Sequence, residues 1–291
     1  MTLFTVSLHS KALHKHTELH VLMPDLATRE RPAKVLWALH GMSEDHNGWL
    51  RKSMVELLAE KYGVCVVIPN ADLSFYVDMA YGADYFTYLS AELPAYLKRY
   101  FPISGRKEDN YIIGDSMGGY GAFYIAMNCP EKYNTAISLS GPMRIDWINR
   151  ILSSADLADV FASRDSARIE KSASEFAVKY RLPESLIYSL WEYADMCTTR
   201  TFKAMFGLDA DLANTRYDIF YLATKLQEKN SDLKLWAFCG EQDYHYISNI
   251  KFRDAVCDTK LDYNLVTGSG AHNWEYWNNK IPYVMQNLFE K

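Results

Sequence analysis

The residues Gly114-Asp115-Ser116-Met117-Gly118-Gly119 set one hydroxyl among glycines. An apolar run, Tyr111-Ile112-Ile113, leads in, and a small-residue helical stretch, Gly121-Ala122-Phe123-Tyr124-Ile125-Ala126-Met127, leads out. Strand, sharp turn and helix in that order lift a serine out of a sheet beside a helix N-terminus. Gly114 and Gly118 are the residue type that so close a strand–helix pass demands. The chemistry this favours is nucleophilic attack. Serine alone is a weak nucleophile near neutral pH, so a base and an orienting carboxylate must lie elsewhere in the chain. Asp243, in Cys239-Gly240-Glu241-Gln242-Asp243, and His272, in Gly268-Ser269-Gly270-Ala271-His272, have the right types and each follows an expected strand. His272 would take the serine proton and return it to the leaving alkoxide, while Asp243 would orient the imidazole. Glu241 shares the loop of Asp243 and stays open as the alternative acid. His245 is the rival base, but a base two residues from its orienting acid would struggle to span to the serine.

Attack on an acyl carbon puts negative charge on oxygen, so backbone donors are also required. The expected ones are the N–H of Met117, at the start of the helix, and that of Met42, presented by the turn His40-Gly41-Met42-Ser43. Gly41, Trp49, Tyr81 and Trp274 are the candidate substrate contacts. For the aromatic stretch Phe75 to Phe86, and for Trp274 and Trp277, core packing is the competing reading. Asp72, Asp78 and Asp84 in that stretch suit capping roles. Asp115 is assigned no role. His14-x-His16 would share one face of a strand, but with no third ligand nearby it reads as solvated, and neither metal nor cofactor is expected. Cys65 and Cys239 fall in apolar strand runs, where a thiol is inert.

The elements that must position these residues follow from the apolar pattern. Eight strands are expected near 3–8, 18–23, 34–39, 64–68, 110–114, 134–139, 233–239 and 261–267. The middle ones are continuous apolar runs, as in strands covered on both faces. Helical patterns near 51–62, 84–100, 117–128, 217–229, 247–256 and 276–290 separate them. This predicts an α/β fold with a mostly parallel eight-stranded sheet flanked by helices, the first two strands forming an antiparallel edge. Residues 142–216 contain no convincing strand. They read as an inserted helical cap between an N-terminal core segment, 1–141, and a C-terminal one, 217–291. The candidate residues then sit beyond strand C-terminal ends, where such sheets bind ligands, in the order Ser, Asp, His expected of α/β-hydrolases.

With 291 residues, 49% of them hydrophobic, the chain can bury a sizeable core. A net charge of −5 and a pI near 5.9, without a dense basic face, argue against nucleic acid. No apolar run approaches the roughly 18 residues of a membrane span, and no secretory leader is recognisable. The five cysteines are scattered and odd in number, as expected of reduced thiols in a cytoplasmic protein. A dimer or tetramer is left open.

Leu39-His40-Gly41-Met42-Ser43-Glu44-Asp45-His46-Asn47-Gly48-Trp49, the stretch ending Tyr81-Gly82-Ala83-Asp84-Tyr85-Phe86, Gly114-Asp115-Ser116-Met117-Gly118-Gly119-Tyr120-Gly121 and Cys239-Gly240-x-x-Asp243 together resemble the esterase D and tributyrin-esterase-like hydrolases. Those are related to S-formylglutathione hydrolases, feruloyl and acetylxylan esterases and the antigen 85 acyltransferases. The resemblance runs nearly the full length and is strongest from Leu36 to Gly141. It implies an α/β-hydrolase fold and a serine carboxylesterase without cofactor, acting on small esters with short acyl groups; an acetylated sugar is one candidate substrate. It also matches Ser116, Asp243 and His272 to the triad and Met42 and Met117 to the oxyanion donors. An acyltransferase of the same fold, or a non-catalytic binding protein, are the competing functions.

Overall fold

Alternation inside the continuous apolar strands decides the layers. In the computed structural model, which describes residues 1–145, 171, 175, 199–207 and 211–290, strand β3 (Val35–Leu39) sends Val35, Trp37 and Leu39 into one core and Leu36 and Ala38 into another. The same alternation recurs in β4 (Cys65–Pro69), β5 (Asn110–Asp115), β6 (Thr135–Leu139) and β7 (Lys234–Gly240). Strands buried on both faces need helices on both faces. The first core is closed by the helices α3 (Tyr85–Thr87) and α4 (Leu93–Tyr100), joined through the π-turn Tyr88–Glu92, and by α5 (Met117–Asn128), α6 (Thr199–Phe206), α7 (Ile219–Glu228) and α8 (Tyr246–Val256). The second is closed by α1 (Gly48–Lys52), α2 (Val55–Tyr62) and α9 (Trp274–Phe289).

With β1 (Thr2–Ser10), β2 (Lys15–Met23) and β8 (Asp262–Gly268), the eight strands form one sheet in the order β1-β2-β4-β3-β5-β6-β7-β8. β1 and β2 pair antiparallel, β2 is also antiparallel to β4, and every pairing from β4 to β8 is parallel. This is the expected α/β-hydrolase architecture with its antiparallel edge. The expected single helix at 51–62 is two. The Ser53 hydroxyl donates to the Trp49 carbonyl at 2.7 Å and accepts from the Val55 amide at 3.1 Å, ending one helix and opening the next. The shared strand face expected for His14 and His16 does not form. His14 lies in the turn at φ 54°, and His16 pairs with His9 across the hairpin.

Most of the expected cap, residues 146–170, 172–174, 176–198 and 208–210, lies outside the described residues. Its described end, α6, is tied to the tyrosine-rich loop: the Ala80 and Tyr81 amides donate to the Met205 and Ala204 carbonyls at 2.9 and 2.8 Å. Among the described residues no helix is long and apolar enough to cross a membrane.

The β5–α5 turn is possible because two side chains are missing. A β-carbon on Gly114 would lie 2.2 Å from the Gly118 carbonyl carbon and oxygen, and one on Gly118 would lie 2.2 Å from the Leu39 carbonyl oxygen. Backbone cannot swing away as a side chain can. Gly118→Ala is therefore expected to cost about 3 kcal/mol or more in urea unfolding. Gly268→Ala, where an added β-carbon meets nothing within 4 Å, should change stability by no more than about 0.5 kcal/mol.

Candidate active site

β5 ends at Asp115, and Ser116 turns the chain with φ 52° and ψ −119°, a conformation a β-carbon disfavours. Two backbone bonds hold it there. The Ser116 amide donates to the Leu139 carbonyl of β6 at 2.8 Å, and the Ser116 carbonyl accepts from Gly119 at 2.9 Å. The loop after β8 delivers His272, whose Nε2 lies 2.8 Å from Ser116 Oγ. The loop after β7 delivers Asp243, whose Oδ2 lies 3.0 Å from His272 Nδ1. A carboxylate accepts, so the Nδ1 proton faces Asp243 and Nε2 is left to accept from the serine. The other carboxylate oxygen of Asp243 takes the His245 amide at 2.7 Å. Burial opposes the charge on Asp243. The charge and hydrogen bond of His272 outweigh it and hold the carboxyl below its usual range.

Neither alternative reaches the serine. Glu241 is exposed and belongs to the turn by its backbone. His245 is 1% exposed, its ring edge-on to His272 at 5.3 Å between centroids. Burial, helped by neighbouring His272, pushes His245 down to about 3, so its ring is uncharged. Tyr244 lies over the His272 ring at 4.1 Å, and Trp277 meets it edge-on at 4.9 Å. Burial pushes the thiols of Cys65 and Cys239 up, which keeps both protonated.

The loop after β3 comes against Ser116 from the other side. A β-carbon on Gly41 would lie 3.4 Å from Ser116 Cβ. Three successive carbonyls where β3 runs into this loop each have a side-chain donor. Trp49 Nε1 donates to Leu39 at 3.0 Å, the Tyr76 hydroxyl to His40 at 2.7 Å, and His40 Nδ1 to Gly41 at 2.7 Å. The Ala71 amide donates to His40 Nε2 at 2.9 Å, which fixes the proton on Nδ1. Burial lowers the His40 pKa, so the ring stays neutral. Met42 and Met117 are both buried beside the serine loop, and Met117 opens α5, where amides lack an intrahelical acceptor.

The expected substrate contacts fare differently. Trp49 is wholly buried; its indole serves the Leu39 carbonyl and the second core, so it cannot touch a ligand. Gly41 faces the Asp115 carboxyl, 2.6 Å from an added β-carbon, and is part of the floor. Tyr81 is 64% exposed and engages α6 through its backbone. Trp274 is half-buried, donates to Glu44 Oε1 at 2.5 Å and packs edge-on against Trp49 and Trp277. Tyr76 is a site residue that sequence reasoning did not single out. The one local trace of it is Gly121, where a β-carbon would lie 2.3 Å from the Tyr76 ring.

Comparison with known proteins places these residues in context. The family model described as "Putative esterase" matches residues 10–287. The acetyl esterase of Caldicellulosiruptor saccharolyticus is 26% identical over 97% of this chain and 96% of its own. Among solved structures, the fluorophosphonate-binding serine hydrolase F of Staphylococcus aureus superposes with a TM-score of 0.77 at 25% identity, covering 100% of this chain and 99% of its own. The S-formylglutathione hydrolase of the same organism gives 0.74 at 26%, covering 100% of both.

If the Tyr76 hydroxyl sets the loop, its loss should be felt as rate. Tyr76→Phe is expected to lower kcat for p-nitrophenyl acetate by about 10- to 100-fold with KM within about threefold, because a small misplacement of a donor loop is enough. The same variant leaves a buried carbonyl unpaired and should lose about 1–3 kcal/mol of stability.

Proposed function

Because this chain belongs to the esterase family and is a carboxylic ester hydrolase of α/β-hydrolase fold, we propose that Ser116 is its nucleophile, His272 its base and Asp243 the acid that orients the base. The observation that carries this reading is the continuous relay from Ser116 Oγ through the imidazole to Asp243, at 2.8 and 3.0 Å. As Oγ attacks the ester carbon, its proton passes to His272 Nε2. The new negative charge on the carbonyl oxygen meets the amides of Met42 and Met117. Nε2 then returns the proton to the departing alkoxide, which leaves as an alcohol, and an acyl group remains on Oγ. Water repeats the sequence, freeing the acid and restoring the serine. Asp243 stabilises the imidazolium that forms twice per cycle.

The substrates in this reading are small esters with short acyl groups, acetyl to butyryl, acetylated sugars among them. Support comes from the acetyl esterase, similar along nearly all of both chains. Cys65, Cys129, Cys239 and Cys257 are free thiols, three of them buried, which supports a cytoplasmic setting.

Ser116→Ala should lower kcat/KM for p-nitrophenyl acetate by about 10³-fold or more and abolish labelling by a fluorophosphonate. Activity retained in that variant would remove Ser116 as the nucleophile. A p-nitrophenyl series from acetate to octanoate should peak at acetate to butyrate, and a peak at octanoate would reject the short-acyl assignment.

A further inference from the structure

The proposed chemistry leaves Asp115 without a task, although it precedes the nucleophile. Its side chain is enclosed: the residue is 1% exposed, and neither carboxyl oxygen has a hydrogen-bond partner among the described residues. It fills the space between the serine turn and the loop after β3, against the backbone of Gly41. The charged and titratable groups around it are few. From the loop after β3 comes Glu44, whose side chain is 7% exposed. Its Oε1 accepts from Lys52 Nζ at 2.7 Å and from Trp274, while its Oε2 is buried without a partner. Lys52 of α1 stands behind Glu44, the Tyr76 hydroxyl approaches from the loop after β4, and His40 presents a neutral ring. Burial foremost, and then the Glu44 charge, push the Asp115 carboxyl far above the usual carboxylate range, with the nearby backbone amides of Asp115 and Gly41 and the Lys52 charge offsetting part of this. An ionised carboxyl here would have neither solvent nor a counter-charge in contact with it.

We propose that Asp115 is a positioning residue that works as an uncharged acid, filling the floor beneath Gly41 so that the Gly41–Met42 peptide stays against Ser116. Ionisation would put negative charge under the developing oxyanion and force water or a counter-charge into the floor, displacing the loop. The acid form thus acts twice, through its shape and through the charge it withholds. This inference rests on the esterase reading of the site.

Two measurements test it, one independent of turnover. A carboxyl with a raised pKa in the fold and one near 3.9 in the unfolded chain keeps its proton in the folded state while the unfolded state sheds it. Wild-type stability should then fall, relative to Asp115→Asn, as pH rises from about 5 to 8, so the Tm advantage of the amide should widen across that window. A wild type that instead gains on Asp115→Asn as pH rises would mean a stabilised carboxylate and would overturn the proposal. In the second measurement, kcat/KM for p-nitrophenyl acetate should fall on the alkaline side in wild type. Asp115→Asn should lose that fall while keeping the neutral-pH rate within about fivefold. Asp115→Ala should lose about 10- to 100-fold in kcat at every pH. Glu44→Gln, which removes the like charge, should bring the alkaline fall to lower pH by about one unit. An alkaline limb identical in wild type and Asp115→Asn would also overturn it. Should Ser116→Ala remain active, the esterase reading fails while the Tm comparison still decides the charge of Asp115.

Discussion

One backbone-to-backbone contact governs the site: the start of α5 passing over the end of β3 with no side chain between them. Because Gly118 lies against the Leu39 and His40 carbonyls, the height of the serine crest and the position of the loop after β3 are a single variable. A hydroxyl that lies 2.8 Å from an imidazole on one side and against the Gly41 backbone on the other leaves little slack. Direct contact of rigid backbone transmits less error than flexible side chains would. The parallel sheet underneath serves this geometry by bringing the ends of β3, β5, β7 and β8 to the same edge.

Polar groups around the crest are partnered unequally, and the inequality follows the chemistry. Carbonyls at Leu39, His40 and Gly41 each face a donor. Asp243 divides its two oxygens between an imidazole and a backbone amide, so its charge survives burial. Asp115 has the same side chain two strands away and neither an imidazole nor any other side chain bonded to its oxygens. Two aspartates in equally dry surroundings are thereby pushed in opposite directions, one toward its anion and one toward its acid.

Much of this was legible in the sequence where the signal is local. The serine turn announces itself because steric demand requires glycine at fixed offsets from it, and the strands because burial on both faces needs unbroken apolar runs. Asp243 and His272 stand out in the sequence by their place after strands, and only geometry sets them apart from Glu241 and His245: it is their side chains that line up with Ser116. Trp49 was misread. An aromatic beside a reactive loop resembles a pocket wall, but the loop needs its indole N–H below. Tyr76 left little trace, since it arrives from a loop 36 residues past the carbonyl it binds in a left-handed conformation, φ 62°, that no local pattern betrays for an aromatic. The break between α1 and α2 depends on a hydroxyl whose partners are set by Trp49, and periodicity does not register it.

The ring of His40 links two loops that belong to different strands. One nitrogen gives its proton to Gly41 and the other receives the amide of Ala71, so the imidazole is a stiff crossbar joining the ends of β3 and β4. An amide side chain offers donor and acceptor on one short fork and could not span both directions, and an aliphatic one offers neither. The demand at this position is therefore architectural: the imidazole has both nitrogens engaged by backbone, and its five-membered ring has the length and polarity of a joist.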